Sequence, residues 1–263
     1  MKPKELLAVT FGTFVLIVLG DGVVANVVLG PRLAGAVASY NWNTIAFGWA
    51  FAVAASGLIS GADNNPAVTL AMAVRGVTPW SKLLPIILAE FVGAFLGAFA
   101  VYLAYREGLV AAGLPNIYTT GPGAFYGPDG ASAGQYSILT ASITEFLGTT
   151  ILMWGVLATS DRRNSAMSKA GPFVVGGIIL VIGLCLGGPS GYSLNPARDL
   201  GPRLFGLISG TQGLFDGLYW LIPPVLIPFI SAPIAGYLYD LFFASEAQPE
   251  ALKAAPLKSG AAD

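Results

Sequence analysis

Histidine is missing from this sequence altogether, and cysteine occurs once, at Cys185. Those two gaps exclude a histidine-based triad, a Cys/His metal cluster and any disulfide within the chain. Charge is scarce as well: 13 basic and 14 acidic residues make up 10% of 263. A soluble domain carries about 25% charged residues, so this chain has too few to cover a surface facing water. The net charge of −1 offers no basic patch for nucleic acid. No nucleophile stands with a base in a recognisable constellation, so no enzyme, cofactor or metal is expected.

Apolar length takes the place of charge. Hydrophobic residues form 55% of the chain, and the mean hydropathy is +0.71. Six apolar runs, at 6–29, 42–59, 83–105, 137–157, 171–188 and 218–243, are each near the ~20 residues that cross a bilayer. The first exceeds a signal-peptide core and reads as an uncleaved span. With both termini inside, nine basic residues (Lys2, Lys4, Arg75, Lys82, Arg162, Arg163, Lys169, Lys253, Lys258) fall on the inner side and four (Arg32, Arg106, Arg198, Arg203) on the outer. That bias fits the positive-inside rule. The Gly- and Pro-rich stretch 106–135 reads as a long outer loop, and the tail 244–263 as a disordered cytoplasmic segment.

Two polar interruptions fit none of the spans: SGADNNPAVTLAMAVRG at 60–76 and SGYSLNPARDLGPRLFG at 190–206. Each opens a run of about ten residues, at 66–75 and 196–206, long enough for a helix of roughly 15 Å, half a membrane. Proline suits the first helical position because the missing N–H would have no partner there, and asparagine is a strong N-cap. Asn65-Pro66-Ala67 and Asn195-Pro196-Ala197 therefore read as helix starts. Broken backbone at membrane depth is tolerated only where it is buried in protein or lines a cavity.

An internal repeat relates the two. FGTFVLI in the first span matches LGTTILM in the fourth, and each Asn-Pro-Ala follows the second span of its half. Three spans per half give halves of opposite direction, so the two half helices point at each other. Their N-termini each carry roughly +0.5 of a charge, which repels cations, while the asparagine amides can donate to a passing hydroxyl or water. The expectation is an all-α membrane protein of six transmembrane helices and two half-spanning re-entrant helices in an inverted repeat. One channel domain spans residues 1–243, with halves at about 1–110 and 136–243.

Two Asn-Pro-Ala copies, each preceded by Ser-Gly in matching halves, make the chain similar to the aquaporin or major intrinsic protein family from about residue 6 to 243. The stretches GDGVVANVVL at 20–29 and NPARDLGP at 195–202 resemble its glycerol-facilitator branch. That resemblance implies a passive channel for glycerol and similar small uncharged solutes, with water. It also implies a homotetramer in the plasma-membrane bilayer. It places an outer constriction at Phe47, Gly183, Tyr192 and Arg198, with Trp49 or Ile45 as alternatives to Phe47, because Phe47 stands too near Asn65 in sequence. Gly183 occupies the position that is histidine in strict water channels. Alternatives left open are a channel passing mainly water, urea or protonated lactic acid, and a coupled secondary transporter built on the same repeat.

Several residues depart from the family pattern or lack a role. Asp63 replaces a histidine and is expected to accept backbone N–H bonds in its loop. Glu145 matches the glutamate that supports the pore loop of its own half, but Gly12-Thr13 alignment puts Val9 at the equivalent place in the first half. Glu90 is then expected to brace the first loop. Asp199 is expected to sit beside Arg198 as a buried structural partner, and Asp21 to find a helix-end or loop partner. Gly93 and Gly97 suit close helix contact, and Cys185 has no assigned place.

Overall fold

The structure is a computed structural model that describes residues 2–33, 40–61, 63–121, 136–161, 163–164 and 169–243. Residues 122–135 of the expected long loop and the whole expected tail lie outside the described residues. Those described are helical, with no strand among them.

In chain order the helices are α1 (Pro3–Leu33), α2 (Trp42–Ser60), α3 (Pro66–Val74), α4 (Trp80–Ala111), α5 (Ile138–Ser160), α6 (Gly171–Ser190), α7 (Pro196–Ser209) and α8 (Ile227–Phe242). A single π-helical turn, Ile222–Leu226, leads into α8. Six spans are long and apolar enough to cross a membrane, the last running Ile222–Phe242. It starts later than the expected residue 218, because Pro223, Pro224 and Pro228 each remove a backbone donor that a regular helix needs. The segment 106–111 expected in the loop continues α4 instead.

The two short helices start as their sequences dictate. Asn65 caps α3 with its side chain accepting from Ala67 N, and Asn195 caps α7 by accepting from Ala197 N and Arg198 N. Both caps hold the same extended backbone, φ −150° and ψ 109° at Asn65, φ −149° and ψ 109° at Asn195. At ~1.5 Å per residue, nine-residue α3 reaches less than half-way across a bilayer.

Packing exchanges the halves. Within each half the first span lies against the second and third: α1 on α2 and α4, α5 on α6 and α8. The half helices cross over, α3 resting on α8 and α7 on α4, while α2 and α6 form the seam. Close approach of α1 and α4 depends on Gly93 and Gly97. A Cβ at Gly93 would lie 2.3 Å from Thr10 O, and one at Gly97 2.7 Å from Ile17 Cβ, so no larger side chain fits without separating the helices.

Polar clamps fix the end that carries the α5–α6 connection. Arg75, the C-cap of α3, holds Asp240 of α8 through two bonds of 2.7 and 2.6 Å. Asp161, the C-cap of α5, accepts from the Arg163 backbone at 2.9 Å, from its guanidinium at 2.8 Å and from Tyr239 Oη at 3.0 Å. The Arg163 guanidinium beside it holds the Asp161 carboxyl down at about 2. A depressed carboxylate pKa contributes stability above the unfolded value and loses it as pH falls through the folded value. The melting-temperature advantage of wild type over Asp161→Asn should therefore be full above about pH 4 and vanish toward pH 2, read as detergent-solubilised melting curves across that range.

Candidate functional site

The two capped starts meet in the middle of the molecule and are tied crosswise. Asn65 Nδ2 donates to Leu194 O at 2.9 Å, and Asn195 Nδ2 donates to Asn64 O at 2.7 Å. An amide nitrogen carries two donors, so one N–H of each remains for a molecule in the adjoining cavity, which both asparagines line.

Buried glutamates hold the two incoming loops. Glu145 on α5 accepts from Ser193 N at Oε1 and Leu194 N at Oε2, both at 2.7 Å. Its grip keeps an unusual backbone: Tyr192 and Leu194 lie at φ 42° and 56°, a left-handed region that L side chains enter at a cost. Glu90 on α4 holds the first loop, Oε1 accepting from Asn65 N at 3.0 Å and Thr69 Oγ1 at 2.7 Å. Val9, at the place equivalent to Glu145, packs instead against Ile86 and Ala89. The two caps thus share one backbone conformation, but their loops are supported from different spans.

A cavity of about 290 Å³ runs past both caps. Its wall combines apolar Leu16, Val53, Leu152 and Ile179 with Asn64, Asn65, Asn195 and Arg198. Trp49 and Tyr192 join Arg198 in this lining. The Arg198 guanidinium carbon sits 3.9 Å from the centre of the Trp49 ring, and Arg198 Nη1 donates to Tyr118 O at 3.1 Å. Arginine carries five N–H donors in a fixed fork, so two aromatic faces and a fork of donors share one stretch of the cavity wall.

A cavity bounded by two facing half helices suits a channel, and a sequence profile supplies the kinship: the profile of the major intrinsic proteins matches residues 2–239. The chain belongs to the major intrinsic protein family. It is 39% identical to a probable glycerol uptake facilitator protein of Thermotoga maritima, over 90% of this chain and 98% of that relative. Identity is also 39% to a glycerol uptake facilitator protein of Streptococcus pneumoniae, over 91% and 99%. Among solved structures, the aquaglyceroporin from Plasmodium falciparum superposes with a TM-score of 0.75 at 29% identity, covering 90% of this chain and 95% of that one.

This major intrinsic protein corrects three expectations about its constriction. Phe47 does not line the cavity and is 51% exposed on the outer face of α2. At about 100° per residue, Trp49 two positions on lies on the opposite side, facing inward. Ile45 is buried in the core cluster rather than in the cavity wall. Gly183 likewise does not line the cavity. It stands behind Tyr192, whose ring would lie 2.8 Å from a Cβ placed there. Trp42 secures this corner, donating from Nε1 to Gly183 O at 2.9 Å and meeting the Tyr192 ring edge-on at 5.5 Å.

Asp199 supports the family site differently from the expectation as well. It accepts from Thr120 N and Oγ1 at 2.9 and 2.6 Å and pairs with Arg203 at 2.6 Å. The acid that faces Arg198 is Asp21, at 3.8 Å. Asp63 lies in the re-entrant loop, two positions before the Asn65 cap, and makes no hydrogen bond with the described residues, contrary to the expected backbone role. Cys185 is exposed and away from the cavity.

The stretch 116–121 was not singled out in the sequence. Asn116 turns it, accepting from Tyr118 N and Thr119 N at 3.0 and 3.1 Å. It brings Tyr118 O to Arg198 and Thr120 O to Arg203 at 3.2 Å. An asparagine two residues before the acceptor was the one local signal.

Proposed function

We propose that this major intrinsic protein is a passive channel for glycerol and similar small uncharged solutes, with water, that excludes protons and ions. The observation that carries this reading is that Trp49, Tyr192 and Arg198 line the cavity together, which we read as an amphipathic constriction. A polyol has a carbon edge that fits against the two rings and a hydroxyl edge that accepts from the guanidinium. Further in, the free N–H of Asn65 and of Asn195 would receive the next hydroxyl or water oxygen. An oxygen accepting from both amides is oriented so that it cannot pass a proton along a water file. Two facing helix N-termini, each roughly +0.5, add a barrier to hydronium and metal cations. The glycerol uptake facilitators among its relatives support the same solute. We place the channel in the plasma membrane as a homotetramer, with both termini on the cytoplasmic side as the nine-to-four distribution of basic residues favours.

Proteoliposomes in a stopped-flow instrument test the reading. A hypertonic glycerol step should shrink them and then let them re-swell quickly, while a sucrose step should give shrinkage alone. The re-swelling rate should rise linearly with glycerol and ignore sodium and pH gradients, as befits a stationary pore. Fast shrinkage without accelerated re-swelling would make the protein a water channel, and saturable ion-dependent uptake would make it a coupled transporter.

A further inference from the structure

Gly20 and Asp21 lie on α1 against Trp49 and Arg198. A Cβ at Gly20 would lie 2.3 Å from the Trp49 ring, so the bare backbone there is the seat on which Trp49 rests under Arg198. Asp21 is completely buried, and neither of its carboxylate oxygens has a hydrogen-bond partner among the described residues. Its Oδ1 lies 3.8 Å from Arg198 Nη1.

Four buried charges meet at this level: Arg198, Arg203, Asp199 and Asp21. Asp199 is committed to Arg203, at 2.6 Å, and to the two donors of Thr120. Compensation of Arg198 therefore falls to Asp21. Loss of the Asp21 carboxylate would leave the wall around Arg198 one unit more positive. That charge would add to the two helix N-termini deeper in the path, together roughly another full positive charge, in a wall of low dielectric where such fields are poorly screened.

We propose that Asp21 is the counter-ion of the constriction arginine and determines specificity by making the pore reject small anions as well as cations. The carboxylate cancels the guanidinium's field from behind while leaving its N–H groups to face the solute. Asp21 touches no solute itself; it acts through Arg198. The proposal rests on the channel reading above and goes beyond it, since binding of a neutral polyol requires only the donors and not their neutralisation.

The test uses full-length protein in vesicles loaded with a chloride-quenched dye, with potassium and valinomycin to carry the balancing charge. Glycerol re-swelling is recorded on the same preparations. Wild type should pass glycerol and leave chloride entry at the level of empty vesicles. Asp21→Asn should admit chloride at least about tenfold faster, the lower end of what a focused field gives. A variant that conducts glycerol with chloride entry still at the empty-vesicle level would overturn the proposal. Where Asp21→Asn does not assemble, Asp21→Asn/Arg198→Gln decides. Recovery of monodisperse protein supports a charge pair, and continued misassembly means that Asp21 is needed for packing and the proposal is wrong. A wild type silent to glycerol would sink the solute reading instead, and the chloride comparison would still judge Asp21.

Discussion

Glu145→Ala is expected to cost the folded channel about 3–6 kcal/mol, from two hydrogen bonds to a charged acceptor at about 1.5–3 kcal/mol each. Against a total of about 5–15 kcal/mol for a typical protein, that is enough to prevent recovery of monodisperse protein. The left-handed backbone at Tyr192 and Leu194 would lose the restraint that maintains it, so any surviving protein should also lose flux. Glutamine separates the two glutamates sharply. Glu145 uses both oxygens, so the Glu145→Gln amide nitrogen would face a backbone N–H, donor against donor. Glu90 uses Oε1 alone, and its Oε2 has no hydrogen-bond partner among the described residues, so Glu90→Gln keeps its acceptor. Melting temperatures should fall steeply for Glu145→Gln and little for Glu90→Gln. Equal losses at the two sites would refute this account of how the loops are held.

Gly183→His should nearly abolish glycerol flux while leaving the fold intact. Even a methyl at that position meets Tyr192 Cζ at 2.8 Å and Cε2 at 3.0 Å, so an imidazole drives the ring away from Trp42 and into the path. Overpacking of this kind costs the fold about 1–3 kcal/mol, within the roughly 5–15 kcal/mol of a typical protein, so the variant should still assemble. Water, being smaller, should lose less. Removing the displaced ring gives the control: Gly183→His/Tyr192→Gly should recover solute flux, because glycine accepts the backbone of φ 42° without strain. Unchanged glycerol re-swelling in the single variant would show that Tyr192 has room elsewhere and does not bound the constriction.

The spans and the paired helix starts were legible because their signals are local. An apolar run announces a span, and Asn-Pro announces a cap, whatever surrounds them. Glu90 and Glu145 could be read as braces because a buried acid in a membrane needs donors and the loops supply them. The choice between Phe47 and Trp49 was not legible. It depends on which face of α2 turns inward, and that is fixed by the space that Gly20 leaves on a different helix. The pairing of Arg198 with Asp21 rather than with its sequence neighbour Asp199 depends on Arg203 and Thr120 claiming Asp199 first, and Thr120 stands 79 positions from Asp199 in the chain. Gly183 was placed at the constriction because the missing side chain is visible in a sequence, whereas the ring that fills its space is not.

The crosswise bonds between the two asparagine caps also bear on how the protein is made. Asn65 finds its acceptor at Leu194, 129 residues further along the chain. At about 5–20 residues per second, translation takes roughly 6–26 s to supply it. Throughout that interval α3 has entered the bilayer without α7 opposite it or α8 to rest on, and its capping amide has no protein partner across the lumen. The first half is therefore an insertion intermediate with a polar helix start exposed at membrane depth, which is where a membrane chaperone would be needed and where a quality-control protease would find its substrate.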